Sequence, residues 1–224
     1  MFPAPIQKLI SHFQKLPGIG PRQATKFALR LIKMSDGELK TMASDMANLK
    51  SSVGECKVCF MLFDRPYSAK ATQGKPKPDD TSQNEPKNNA LCQFCRDDKR
   101  DRNKICVVAG DNDALTIEKT KTYDGLYHIL GGQISLLEKE ENRNLNLLAL
   151  KNRLDRRTAS NAAPAEIILA LNATAEGQAT ALYLEKFLAD SGVKIARLAQ
   201  GLSTGSEIEY ADDQTLINAL KHRR

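Results

Sequence analysis

Tryptophan is absent from this chain of 224 residues, histidine occurs three times and cysteine five times. No stretch approaches the ~20 apolar residues of a membrane-spanning helix. The opening Met1-Phe2-Pro3-Ala4-Pro5 has no basic region followed by an apolar run, so no secretory signal is expected and the cytoplasm is the expected compartment. An odd number of cysteines without an export signal argues against a disulfide scaffold. His12, His128 and His222 lie in separate segments with no evident pairing of base and nucleophile, and a histidine on a strand or a tail is more often structural. Gly201–Gly205 lacks the Lys-Ser/Thr that completes a P-loop, so nucleotide hydrolysis is poorly supported.

What is present is enough apolar residue, 41%, for a real interior, and a net charge of +6 that is unevenly placed. The length allows one large domain, or two to three small ones around a common core. Residues 1–104 carry 19 Lys/Arg against 11 Asp/Glu, a balance of +8, whereas residues 105–224 carry 14 against 16, a balance of −2. A basic half suggests a polyanionic partner, with nucleic acid the leading candidate, bound less tightly as salt rises. A solvated basic surface without a partner accounts for the charge equally well.

Periodicity organises the chain. Ile6, Leu9, Ile10, Phe13 and Leu16 recur at helical spacing, then Pro17-Gly18-Ile19-Gly20 makes a turn, and Pro21 suits the first residue of a second helix. Ala24, Phe27, Ala28, Leu31 and Ile32 form the stripe of that helix. Ser35 and Glu38 fit a capping box for a third, with Leu39, Met42, Ala43, Met46 and Leu49 as its expected buried face. From residue 105 strands alternate with helices: strands at 105–108, 127–130, 166–171 and 194–198, helices at 112–121, 143–156, 176–189 and 211–222. This pattern predicts a parallel α/β sheet.

Four of the cysteines form two C-x2-C pairs, Cys56/Cys59 and Cys92/Cys95. Each such turn aims two sulfurs at one metal, and two turns complete a tetrahedron. Thiolates select zinc or an iron–sulfur centre over hard cations; a redox or incidental pair is the remaining reading. Four ligands leave no open position for water, so the expectation is one structural Zn²⁺ per chain. The gap between the pairs is 32 residues, and residues 64–90, rich in Lys, Pro, Asn, Asp, Gln and Ser, read as a disordered insertion. Cys106 stands alone on a predicted strand as a small buried hydrophobe.

Leu16-Pro17-Gly18-Ile19-Gly20-Pro21 matches the helix-hairpin-helix signature. Gly18 and Gly20 carry no side chain, so backbone N–H groups at the second helix's N-terminus can approach a phosphate. Arg22 and Lys26, one turn apart, can reach neighbouring phosphates, and Lys8, Lys15 and Arg30 can widen the patch. Contacts of this kind carry no base information, so DNA binding would be sequence-independent. A tight turn between packed helices is the competing explanation.

Val107-Val108-Ala109-Gly110 before a helix, and later Leu171-Asn172-Ala173-Thr174-Ala175-Glu176-Gly177, resemble the layout of a Toprim domain. Such domains place a Glu after the first strand and an Asp-x-Asp after a later one, to hold Mg²⁺ for phosphoryl transfer. Here those positions read Ala109, Asn172 and Thr174. Glu176 remains, and Asp111 and Asp113 are expected to cap and charge the start of the following helix.

The order of helix-hairpin-helix, four-cysteine motif and Toprim-like domain is similar to the bacterial RecR family of recombination mediators over nearly the whole chain. Supporting segments are Leu16–Pro21, the cysteine pairs with Arg100-Asp101, Tyr127-His128-Ile129-Leu130-Gly131-Gly132, Glu176-Gly177 and Glu209–Asp212. The fold class implied is a multi-part α+β chain. It has a helix-hairpin-helix region at 1–53, a four-cysteine zinc motif at 54–103, a Toprim-like α/β domain at 104–199, and a C-terminal segment and helix at 200–224.

The resemblance further implies a non-catalytic DNA-repair protein of the bacterial cytoplasm. It would act with RecO and RecF to help RecA load onto gapped or single-stranded DNA, as a homodimer or ring-like homotetramer. Arg22 and Lys26 would face DNA, and Glu176 would lie near the RecO contact. The enzyme alternative is a Toprim-type Mg-dependent nuclease or topoisomerase-like protein. Departures from the family are the insertion at 64–90, Ala109-Gly110, and a Gly201–Ser206 loop without the usual Pro and second Gly.

Overall fold

The computed structural model describes residues 2–65, 91–135, 145–159, 166–199, 201–202 and 205–221. The expected disordered insertion lies, from residue 66 onward, outside the described residues, as does His222. The chain divides into two compact units, Met1–Ser52 and Val53–Arg224.

The first unit is three helices: α1 (Ala4–Phe13), α2 (Pro21–Ile32) and α3 (Asp36–Ser52). Proline occupies the first turn of both α1 and α2, where its missing N–H leaves no bond unmade. α1 packs against α2, with the Phe13 and Phe27 rings edge to face at 5.7 Å and Ala24 and Ala28 fully buried. The capping box forms as the sequence predicts. The Ser35 N–H donates to Glu38 Oε2 at 3.0 Å, and the Glu38 N–H donates to Ser35 Oγ at 3.4 Å. The Ser35 hydroxyl also donates to Glu38 Oε2 at 2.8 Å, and this bond first, then that of the Ser35 N–H, holds the Glu38 carboxyl below its ordinary pKa. The expected burial of the α3 stripe does not hold. Leu39, Ala43, Met46 and Leu49 are exposed and Met42 is half-buried. The periodicity correctly identifies a helix, but an apolar stripe by itself does not supply an element to cover it.

The second unit is built on a four-stranded parallel sheet in the order β4-β3-β5-β6. Its strands are β3 (Asp101–Val108), β4 (Gly125–Ile129), β5 (Glu166–Ala170) and β6 (Lys194–Arg197), and all neighbouring pairs are parallel. Alternation along β3 sends its side chains into two separate cores. Ile105 and Val107 join Leu150, Leu154, Ile167, Leu169, Leu184 and Leu188, in a core that takes in the apolar sides of α6 (Leu147–Ala159) and α7 (Ala175–Phe187). Cys106 and Val108 face the other way, among Tyr127, Ile129, Ala114 of α5 (Asp111–Lys119) and all four paired cysteines. The cysteine segment therefore covers part of one sheet face, where an α/β fold ordinarily places helices. Two further elements within that segment escape sequence periodicity because each is too short to show one. They are a hairpin of β1 (Val53–Glu55) with β2 (Leu62–Asp64), and the single turn α4 (Gln93–Arg96). The last helix, α8, spans Asp213–Lys221.

His128, on β4, is fully buried, and its Nε2 lies 3.0 Å from the Asn146 carbonyl. Burial first, then the positive charge of Arg153, pushes it down to about 3. In the folded chain the ring stays neutral where the unfolded chain, with a pKa near 6.5, takes up a proton. The stability tied to His128 is therefore complete above about pH 6.5 and declines as pH falls toward 3. From pH 7 to pH 5 this amounts to about 2 kcal/mol. Urea unfolding of wild type and His128→Gln at both pH values should show a smaller acid-side loss in the variant by about that amount; equal losses would refute the assignment.

Candidate metal centre and nucleic-acid interface

Two turns bring the cysteines together. In the first, the Phe60 N–H donates to the Cys56 carbonyl at 2.9 Å and the Cys56 N–H donates to the Met61 carbonyl at 2.9 Å; Phe60 adopts a positive φ of 65° to close it. In the second, Cys92 precedes α4 and the Arg96 N–H returns to the Cys92 carbonyl at 3.1 Å. All four cysteines are buried and their sulfurs lie within 4.8 Å of one another, with Cys59 and Cys92 Sγ 3.4 Å apart. A tetrahedral metal with metal–sulfur bonds of ~2.3 Å needs sulfurs roughly 3.8 Å apart, so the donor set fits such an ion. Mutual hydrogen bonds pull Cys56 well below an ordinary thiol, Cys59 foremost among its partners, and push Cys59 well above one, Cys56 foremost. Without a cation only some of these sulfurs can be thiolates. Among the described residues this quartet alone gathers three or more Cys, His, Asp or Glu ligands.

The quartet is fastened to the sheet. The Ile129 N–H donates to the Cys59 carbonyl at 2.8 Å, and the Leu62 N–H donates to Asp111 Oδ1 at 2.7 Å. Arg100 stacks on Phe94, 4.6 Å from its ring centre, donates to the Gly125 carbonyl at 2.8 Å and pairs with Glu118, which also accepts from the Tyr127 hydroxyl. In the sequence Arg100 stands out only as part of a family segment, and its anchoring role has no local signal.

At the sheet's carboxyl edge, β3 and β5 end side by side, which brings Ala109-Gly110 and Leu171-Asn172 to one rim. Asp113 Oδ2 accepts the Gly110 N–H at 3.0 Å, the capping role expected of it. Asp111 sits in the first turn of α5 as expected, and its carboxylate also reaches the cysteine segment. Thr174 caps α7 by accepting the Gly177 N–H at 3.2 Å. A Cβ at Gly177 would overlap the Asn172 carbonyl, so this glycine is required by a close backbone approach. Glu176 lies exposed in the first turn of α7.

In the first unit, Gly18 has φ +77°, a conformation that favours glycine. Gly20 is the N-cap of α2, with an ordinary φ of −80°. Arg22 and Lys26 are both exposed on α2, and Lys8, Lys15 and Arg30 are exposed as well.

Fold and site together define a Toprim-fold protein with a helix-hairpin-helix unit and a four-cysteine metal-binding cluster. A Toprim domain model matches residues 103–199, a RecR helix-hairpin-helix model residues 6–50, and a RecR C-terminal model residues 201–224. The recombination protein RecR of Streptococcus thermophilus is 39% identical over 223 residues, covering 100% of this chain and 98% of the relative. That of Staphylococcus aureus (strain MRSA252) is 36% identical over 222 residues, covering 99% and 98%. The chain belongs to the RecR family of recombination proteins.

If the quartet holds a folding metal, Cys92→Ser should lose the bound ion, as measured by elemental analysis. It should also lower unfolding stability by several kcal/mol, since metal binding adds directly to folding free energy. Wild type that carries no metal when purified, or whose melting is unchanged by chelation, would refute this.

Proposed function

We propose that this chain is a non-catalytic, sequence-independent DNA-binding protein of bacterial recombinational repair. It acts in the cytoplasm with RecO-like and RecF-like partners to help a RecA recombinase load onto gapped or single-stranded DNA. The observation that carries the DNA part is the Gly18–Gly20 turn, which leads into the N-terminus of α2 beside the exposed Arg22 and Lys26. Backbone N–H groups and the helix dipole at that end favour a phosphate. Positive φ explains Gly18. At Gly20 an added Cβ would meet nothing within 4 Å, so the fold itself does not demand glycine there. Glycine is also an ordinary N-cap, and its missing side chain leaves the helix end open to a phosphate.

The quartet Cys56, Cys59, Cys92 and Cys95 holds one structural Zn²⁺ per chain in this reading. Four buried thiolates suit zinc and leave no coordination position for water. Glu176, exposed at the start of α7, is a candidate contact for the RecO-like partner, and the assembly is a homodimer or ring-like homotetramer. Among the described residues no helix is long and apolar enough to cross a membrane.

The competing enzyme reading, a Mg²⁺-dependent nuclease or topoisomerase, is weakened by the residues at the Toprim metal positions. Ala109, Asn172 and Thr174 supply no carboxylate, and Asp111 and Asp113 are engaged by backbone N–H groups. Purified protein should leave supercoiled and single-stranded DNA intact in the presence of Mg²⁺, and cleavage abolished by EDTA would restore the enzyme reading. In band-shift titrations, Arg22→Ala/Lys26→Ala should weaken binding about equally for all sequences. Its salt slope should be shallower by about 1.8 on duplex, for two lost phosphate contacts. Equal binding by variant and wild type would remove the hairpin from the proposal.

A further inference from the structure

A cavity of about 480 Å³ opens on the second unit, between the first cysteine turn, the start of β3 and helix α6. Four of its lining residues are cationic: Lys57 from the cysteine turn, Arg102 from β3, and Arg153 and Arg156 one turn apart on α6. Among the described residues no carboxylate lines it. Arg102 pairs with Asp98 at 2.7 Å, but that aspartate is 94% exposed at its side chain and lies outside the lining. Gathering like charges in one concavity raises the local potential and concentrates anions there.

Arg153 sharpens the point. Its Nη1 donates to the Tyr127 carbonyl at 2.8 Å, which fixes the guanidinium against the sheet. Its Nη2 is buried and has no hydrogen-bond partner among the described residues. The guanidinium so held adds a fixed positive charge to the cavity wall. Phe60 and Asn152 also line the cavity, offering a ring and an amide beside the cations.

We propose that this cleft is a second phosphate-binding site, which takes the backbone of a DNA strand. The volume exceeds what a single oxyanion needs and suits a nucleotide-sized group. The planar guanidinium forks match phosphate oxygens, and an aromatic ring beside them suits an unstacked base. An acidic protein segment is the other polyanion that could be considered. The chain's membership of a recombination family and its proposed DNA-binding hairpin favour DNA. The inference rests on that DNA-binding reading but uses residues wholly outside the hairpin.

The test is fluorescence anisotropy of the full-length protein with a labelled oligothymidylate, titrated from about 50 to 200 mM NaCl, the range over which phosphate contacts show their salt dependence. Four forms are compared: wild type, Lys57→Gln/Arg156→Gln, the charge-keeping Lys57→Arg/Arg156→Lys, and Arg22→Ala/Lys26→Ala. The neutralised cleft variant is expected to bind about tenfold more weakly at the lowest salt, with a slope shallower by about 1.4 for two contacts on a single strand, while the charge-keeping form stays near wild type. Wild-type affinity in the neutralised variant overturns the proposal. Equal losses in the neutralised and charge-keeping forms overturn it as well, because charge is then not what matters. Intact DNA binding with lost binding to a polyglutamate peptide assigns the cleft to an acidic protein segment and also overturns it. If only the hairpin variant binds like wild type, the hairpin reading fails and the cleft stands.

Discussion

Four buried cysteines closing a 32-residue gap are the constraint on which most of the second unit depends. Two short turns, neither long enough to be stable alone, share one focus and one hydrophobic core with the sheet. The Cys59 carbonyl accepts the Ile129 N–H, Asp111 accepts the Leu62 N–H, and Arg100 ties Phe94 to Gly125 and Glu118. The cysteine segment thus serves as one cover of the α/β sheet. Losing the shared focus would expose Cys106, Val108, Tyr127 and Ile129, which belong to the sheet itself.

The rim where related folds collect carboxylates has here been given to structural bonds. Asp113 caps α5, Asp111 holds the cysteine hairpin, Thr174 caps α7, and Gly177 admits the Asn172 carbonyl. Thr180 accepts the Ile134 N–H at 2.8 Å and donates to the Glu176 carbonyl at 2.6 Å, which links the loop after β4 to α7. These bonds stiffen the edge on which Glu176 lies exposed.

Basic chemistry is distributed over two elements of different kinds. The hairpin offers backbone N–H groups with Arg22 and Lys26 beside them. The cleft offers side chains converging from Lys57, Arg102, Arg153 and Arg156. Under the proposed reading neither arrangement contacts base edges, so binding would not depend on sequence.

The sequence by itself determined the features whose physics is local. Period-3.6 stripes marked the helices, apolar runs after residue 105 marked the parallel strands, and Ser35 with Glu38 marked a cap. Two C-x2-C turns marked a thiolate site, and two glycines around Ile19 marked a hairpin. Tertiary structure decided what depends on where the chain returns. The α3 stripe looks like a core face in sequence, yet its burial depends on a partner that periodicity cannot supply. Asp111 accepts an N–H 49 residues away, and Arg153 is held by a carbonyl 26 residues away. The cleft gathers cations from segments far apart in the chain because a parallel sheet brings distant segments side by side, and charge counted along a chain does not say which charges will meet.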